Sequence, residues 1–414
     1  LLTGQVGAAP EKVVGRRSGT VSFTVPLQAL KAGYDPTAES PGVAPASGAE
    51  VIPPWMVLAS NALGSYNDSL AGATASARNT NFWRGTTMSN ATYTAAGITA
   101  AGTDATHLEL DVAAVAGHKA GQFIAAAKTG VAPGVGFVKA KNGATSVFTV
   151  FDPMTATLSN YDDNAANVYG SATAWQSSNQ PKFLTAYWVG PDATLAYVMT
   201  GLTCESFKVT LEPGATPTIE FSFRFYDFYM DKTKGGLIVP KSYNRVPQLV
   251  GAKTGAAILD NSLKCGLEGL TVEWKATITE TKCHAATQGI SAIQVVKPRV
   301  SLNFTIPHIG GDTGDAVYDA NGALSNVGSH VWQSSLELGT KHSLGVYVGP
   351  GIGKALGVLV PAAYVSAAPS IADKNGVQTY TVAMEATSYS GDTTTGAETS
   401  SDSPINSIFR VGLA

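Results

Sequence analysis

The chain has 414 residues, with 27 Lys and Arg against 30 Asp and Glu and a formal charge of −3. At roughly 100 to 200 residues per domain, this length predicts two or three domains, or one with large insertions. Charged side chains make up only 14% of the chain, so the surface must be built from Ala, Gly, Ser, Thr and Asn or lie inside an assembly; the near-neutral balance argues against strong attraction to nucleic acid, which needs clustered Lys and Arg.

Residues 1–17 read as an N-terminal arm, and its first ten lack the charged and apolar segments of a signal peptide. Val21, Phe23 and Val25 then alternate with Thr20, Ser22 and Thr24, which predicts a strand ended by Pro26. Residues 31–54 hold Pro36, Pro41, Pro45, Pro53 and Pro54 and hardly any large apolar side chain. A loop this long inside a compact domain implies a task of its own. A short helix is predicted near residues 53–63. Residues 107–152 read as an inserted small β-module, with short strands over 122–127, 134–141 and 146–150.

Phe207, Val209 and Leu211 alternate again, and beyond the Pro213-Gly214 turn Ile219, Phe221, Phe223 and Phe225 oppose Glu220, Ser222 and Arg224. This predicts a hairpin with one aromatic face directed to the core and one polar face. A second short helix is predicted near residues 251–263. Later strands are predicted around Val272, Trp274, Ala276 and Ile278; Val300, Leu302, Phe304 and Ile306; Leu344, Val346 and Val348; and Tyr380, Val382 and Met384. Residues 310–330 and 388–404 form further long loops. Phe23-Thr-Val-Pro26 is echoed by Phe304-Thr-Ile-Pro307, a faint sign of internal repetition. The expected fold is mainly β, a sandwich or barrel, with one β-rich unit over 18–232 and a second β-rich half over 233–414.

The longest apolar stretch, residues 355–365, is broken by Gly357 and Pro361 and falls far short of the roughly 20 residues that span a bilayer, so the chain reads as soluble. Cys204, Cys265 and Cys283 are too few for a disulfide framework and read as small buried apolar residues. Cys283-His284 lacks a second ligand pair at zinc spacing. Val348-Gly-Pro-Gly-Ile-Gly-Lys354-Ala355 departs from a phosphate loop at Val348 and Ala355 and reads as a glycine turn between strands. Asp162-Asp163-Asn164 and the group Asp312, Asp315 and Asp319 lack the EF-hand spacing. The six histidines, His107, His118, His284, His308, His330 and His342, have no partner at a telling spacing. No nucleophile elbow, H-E-x-x-H or dinucleotide loop is present. No cofactor and no catalysis are expected. The alternatives are a capsid decoration or cell-surface binding module, and a glycan-active enzyme built on Glu205, Glu212 and Glu220.

Three segments carry a family resemblance: Ser18-Gly-Thr-Val-Ser-Phe-Thr-Val-Pro26 with Pro53-Pro-Trp-Met-Val-Leu58; Thr200-Gly-Leu-Thr-Cys204 through Phe207-Lys-Val-Thr-Leu-Glu-Pro-Gly214 to Pro217-Thr-Ile-Glu-Phe-Ser-Phe223; and Leu344-Gly-Val-Tyr-Val-Gly349 with Asp373-Lys-Asn-Gly-Val-Gln-Thr-Tyr-Thr-Val382. Together they resemble the major tail tube proteins of long-tailed, siphovirus-like bacteriophages. The resemblance implies a β-sandwich whose copies form rings, a hexamer or a pseudo-hexameric trimer, with strands closing an inner barrel through which viral DNA passes without specific binding. The rings stack into a virion tail assembled in the host cytoplasm, capped by terminator, tape-measure and baseplate or tip proteins. On this reading Arg16, Arg17, Pro36, Pro41 and Pro45 belong to a ring-stacking arm and loop, and Glu220, Ser222 and Arg224 face the lumen or a subunit boundary. The chain is long for one such unit, and either the 107–152 insertion or a tandem duplication accounts for the excess.

Overall fold

The computed structural model describes residues 18–27, 31–32, 50–51, 54–64, 91–92, 107–111, 120–127, 134–142, 147–151, 167–170, 172–177, 181, 183–189, 196–212, 214–231, 256–259, 262–263, 268–282, 290–307, 331–349, 355–374, 377–394 and 404–413. The chain opens with β1 (Gly19–Pro26), the short pair β2 (Lys31–Ala32) and β3 (Glu50–Val51), and helix α1 (Pro54–Leu63). Next come β4 (Ala91–Thr92), β5 (His107–Asp111), β6 (Phe123–Ala127), β7 (Gly134–Asn142), β8 (Val147–Phe151) and β9 (Asn167–Gly170). β10 (Ala172–Trp175), β11 (Leu184–Val189), β12 (Ala196–Leu211), β13 (Thr218–Phe225) and β14 (Asp227–Asp231) follow. The rest is β15 (Ala256–Leu259), β16 (Ser262–Leu263), β17 (Glu268–Lys282), β18 (Ile290–Pro307), α2 (Val331–Leu338), β19 (Lys341–Val348), β20 (Leu356–Val365), β21 (Ser370–Lys374), β22 (Val377–Ala386), β23 (Thr393–Thr394) and β24 (Arg410–Leu413). The protein is mainly β, as its period-two patterning predicts.

A 15-stranded antiparallel sheet runs in the order β1-β13-β12-β17-β18-β22-β20-β19-β15-β16, with β10, β11, β14, β21 and β24 attached along it. The units expected on either side of residue 232 share this one sheet, because β17 pairs with β12. A separate 7-stranded sheet holds β4, β9, β6, β7, β8, β5 and β23. Its strands come from outside residues 107–152 as well as from within them, so the small sheet is wider than the sequence suggests.

The alternating strands put their apolar residues on one face. Val25, Ile219, Val209, Val272, Leu302, Met384 and Val365 form a cross-strand row from β1 to β20. A neighbouring row stacks aromatics, with ring centroids 5.7 Å apart for Phe23 and Phe221, 5.9 Å for Phe221 and Phe207, and 5.5 Å for Phe207 and Trp274. Phe221 and Phe223 are fully buried, as expected, while Phe225 is partly buried at the rim of the same core. Leu344, Val346 and Val358 from the other end of the sheet belong to this cluster too, so the sheet wraps around a single core. β20, the longest apolar stretch of the sequence, is buried at every position but one.

Both helices pack on this core. α1 buries Trp55, Met56, Ala59, Ala62 and Leu63 in the core, and Ser60 and Asn61 are buried as well, so the helix is enclosed on most of its circumference. α2 was not evident from the sequence; its Trp332 lies edge-on to Phe304 at 5.6 Å, and Ser335 bonds the buried His342 at 2.8 Å. The helix predicted near residues 251–263 is instead the strand pair β15 and β16. The Ala-Ala-Ile-Leu run of β15 has a ready partner in β19, and pairing with that sheet edge outweighs its helix propensity.

The small sheet docks through Phe123, which packs against Phe137 and Tyr347 in a second buried cluster with Ala355 and Leu359. Its seat is made by Gly357 and Gly412, opposite each other on β20 and β24, where a Cβ would run into the outer ring atoms of Phe123 at Gly357 and into its Cβ and Cγ at Gly412. Nearby, Arg410 and Asp392 form a wholly buried ion pair; Asn406 accepts from the Asp392 N–H, and its own N–H donates to the Asp392 carboxylate.

Candidate functional surface: the polar face of the large sheet

The face opposite the core is built from the alternate residues of the same strands, so burying one set dictates the other. Thr24, Glu220, Lys208, Glu273, Ser301, Glu385 and Tyr364 stand directly opposite one another across seven strands. The next row runs Ser22, Ser222, Ser206, Lys275 and Arg299. Another is Thr218, Thr210, Thr271, Asn303 and Ala383. The Ser22 hydroxyl donates to that of Ser222 at 3.3 Å.

Acidic and basic side chains are neighbours over most of this face. Lys208 has Glu220 on one neighbouring strand and Glu273 on the other. Arg224 pairs with Glu205 and lies 3.6 Å from Glu280. Arg299 is 3.8 Å from Glu385, whose carboxylate also accepts from the Tyr364 hydroxyl at 3.2 Å. Partial burial disfavours the charge on Arg224, but Glu205, Tyr226 and Glu280 outweigh it and hold the guanidinium above its usual value. Burial and then the neighbouring Glu385 raise the Tyr364 phenol. Lys275 and Arg299 stand directly opposite each other, but each has an acidic neighbour, Glu273 two residues along β17 and Glu385 across from β22.

Of the residues singled out in the sequence, Glu220, Ser222 and Arg224 lie together on this face, with Glu220 exposed and the other two half-exposed. Arg16, Arg17, Pro36, Pro41 and Pro45 lie outside the described residues, as do Cys265, Cys283 and both Asp-rich loops. Cys204 is a buried free thiol whose ionisation burial pushes up. Glu205 is tied to Arg224, Glu212 sits at the end of β12, and Glu220 stands in the charged row. Among the described residues no group of His, Cys, Asp and Glu is placed to hold a metal ion, and no helix is long and apolar enough to cross a membrane. Lys208, Glu273, Lys275, Arg299 and Glu385 were not evident as part of one surface, because their proximity depends on long-range register. Comparison with protein-family models and with curated proteins finds no match for the chain.

Proposed function

We propose that the protein is a non-catalytic structural subunit that assembles into stacked rings, forming a hollow tail tube through which viral DNA passes, with the polar face of the large sheet lining the channel. The observation that carries this reading is the charge-balanced Ser/Thr-rich face that extends without a break across seven strands. A channel for a moving polyanion must stay wet and must not hold phosphates. Each phosphate neutralised by a Lys or Arg releases counterions and strengthens binding, so clustered cations would retain DNA. Setting carboxylates beside the cations and filling the remaining positions largely with Ser and Thr provides hydration with little excess positive charge. The low overall charge suits a subunit whose outer surface is largely interface, since the centres of stable interfaces are depleted of Lys, Glu and Asp.

The reading places the protein in a virion tail, with further copies of itself as its principal partner and the terminator, tape-measure and tip proteins at the ends of the tube. Negative-stain microscopy of concentrated protein tests it: rings or hollow tubes of uniform width are expected, and a stable compact monomer at high concentration would reject it.

A further inference from the structure

Strand β24 divides its side chains between two interiors. Phe409, Val411 and Leu413 join the main core, while the alternate residues Arg410 and Gly412 face the small sheet, where Gly412 meets Phe123. Arg410 stands opposite Leu359 of β20 and Trp175 of β10, both buried. Its carboxylate partner Asp392 comes from the segment that leaves β22, one residue before β23, and β23 pairs in parallel with β7 of the small sheet. The ion pair therefore lies where the chain passes from one sheet to the other.

Both side chains are fully buried, yet their hydrogen-bonding capacity is only partly used. Nη2 of Arg410 donates to Oδ2 of Asp392, and the same oxygen accepts from the Asn406 N–H. Among the described residues, Nε and Nη1 of Arg410 and Oδ1 of Asp392 have no hydrogen-bond partner. Nε and Nη1 carry three of the five N–H donors of a guanidinium, and a carboxylate oxygen offers two lone pairs. The guanidinium carbon lies over the Tyr389 ring, 5.7 Å from its centroid, a contact that suits the positive charge but takes up none of the in-plane donors. Buried polar groups left in this state are destabilising, and native interiors supply them with partners.

Covalent geometry brings the open atoms together. Oδ1 is one carboxyl width from Oδ2, and Nε and Nη1 are bonded to the carbon that carries Nη2, so a single molecule or a short chain of molecules beside the pair links them. Their chemistry selects the occupant. An anion would satisfy the guanidinium and face the lone pairs of Oδ1; a cation would satisfy Oδ1 and face the guanidinium. The charges of the two side chains already cancel, so a neutral molecule that both accepts and donates is the one that fits.

We propose that this place is a built-in water site, in which ordered water accepts from Nε and Nη1 of Arg410 and donates to Oδ1 of Asp392. Buried waters typically make about three hydrogen bonds to groups with no other partner. Enclosed between the two sheets, this water exchanges with solvent only when they part. It is a fixed component of the junction and holds Asp392 in place beside β23, whatever the protein assembles into.

The test is crystallography of the full chain, at a resolution that shows ordered water, from crystals with and without bromide. Solvent peaks within about 3.2 Å of Nε or Nη1 and of Oδ1, with no anomalous signal from bromide, are expected. They should be lost in the Asp392→Leu, Arg410→Met variant, which removes both hosts; should that variant not fold, the unsubstituted protein decides alone. Bromide bound at Arg410 would overturn the water assignment in favour of an anion. A main-chain carbonyl or another side chain on Nε and Nη1, a junction with no density beside the pair, or peaks that persist in the double variant would overturn the site itself.

Discussion

Replacing Phe221 with Ala tests the division of the large sheet into a packed face and a wet one. Phe221 is fully buried and has ring partners in Phe23 at 5.7 Å, Phe207 at 5.9 Å and Phe223 at 5.7 Å. Truncation removes the ring's transfer free energy and leaves a cavity walled by side chains from three strands, which cannot collapse without moving the sheet. The expected cost is about 3–5 kcal/mol. Phe221→Leu, which keeps much of the apolar volume, should cost about 1–2 kcal/mol. The neighbouring Ser222 points to the other face, where its hydroxyl accepts from Ser22 in an exposed setting, so Ser222→Ala should stay within about 0.5 kcal/mol. Guanidinium unfolding followed by tryptophan fluorescence suits the comparison, because Trp274 stacks on Phe207 within the same row; values are compared only where the denaturant slope is unchanged. A cost below about 1 kcal/mol for Phe221→Ala, or equal costs at 221 and 222, would refute the assignment of faces.

Four further outcomes are expected. Gly357→Ala should loosen the small sheet from the large one at a cost of about 1–3 kcal/mol, seen as faster proteolysis within residues 107–151, and adding Phe123→Leu should restore part of the protection because the nearest clashing atoms, Cε2 and Cζ of that ring, are then gone. Asp392→Ala should cost about 3–5 kcal/mol in denaturant unfolding by leaving Arg410 buried without its partner, and Asp392→Leu with Arg410→Met should cost much less. The Cys204 thiol, buried and held protonated, should resist maleimide in the folded protein at neutral pH and react once it is unfolded. Glu220→Lys sets two lysines opposite each other beside Glu273; folding should change by less than about 1 kcal/mol, while tubes carrying it should retain DNA at low salt and release it as salt rises.

What the sequence shows and what it hides separate along the line between local and long-range information. Val21, Phe23 and Val25, or Ile219, Phe221 and Phe223, reveal a strand and its buried face because side chains alternate within a few residues. The same alternation placed Glu220, Ser222 and Arg224 together. It could not show that Lys208, Glu273, Ser301 and Glu385 continue the Glu220 row, since that depends on pairings between distant segments. β18 looks interrupted at Pro298, yet it runs on through an irregularity beside Lys297, whose φ of 49° lies in the left-handed region. α2 is short, and its Trp-Gln-Ser-Ser-Leu sequence gives a weak helical period; it exists because Trp332 and Leu336 have the Phe304 side of the core to bury against.

The central claim is that the polar face of the large sheet lines a channel. Cryo-electron microscopy of the assembled protein, at a resolution that separates side chains, tests it most directly. The account predicts hollow rings in which Glu220, Lys208, Glu273 and Ser301 point toward the axis while Phe221, Phe207 and Trp274 point away from it into the wall. Tubes whose lumen is lined by other elements, with this row on the outer surface or buried between rings, would contradict it.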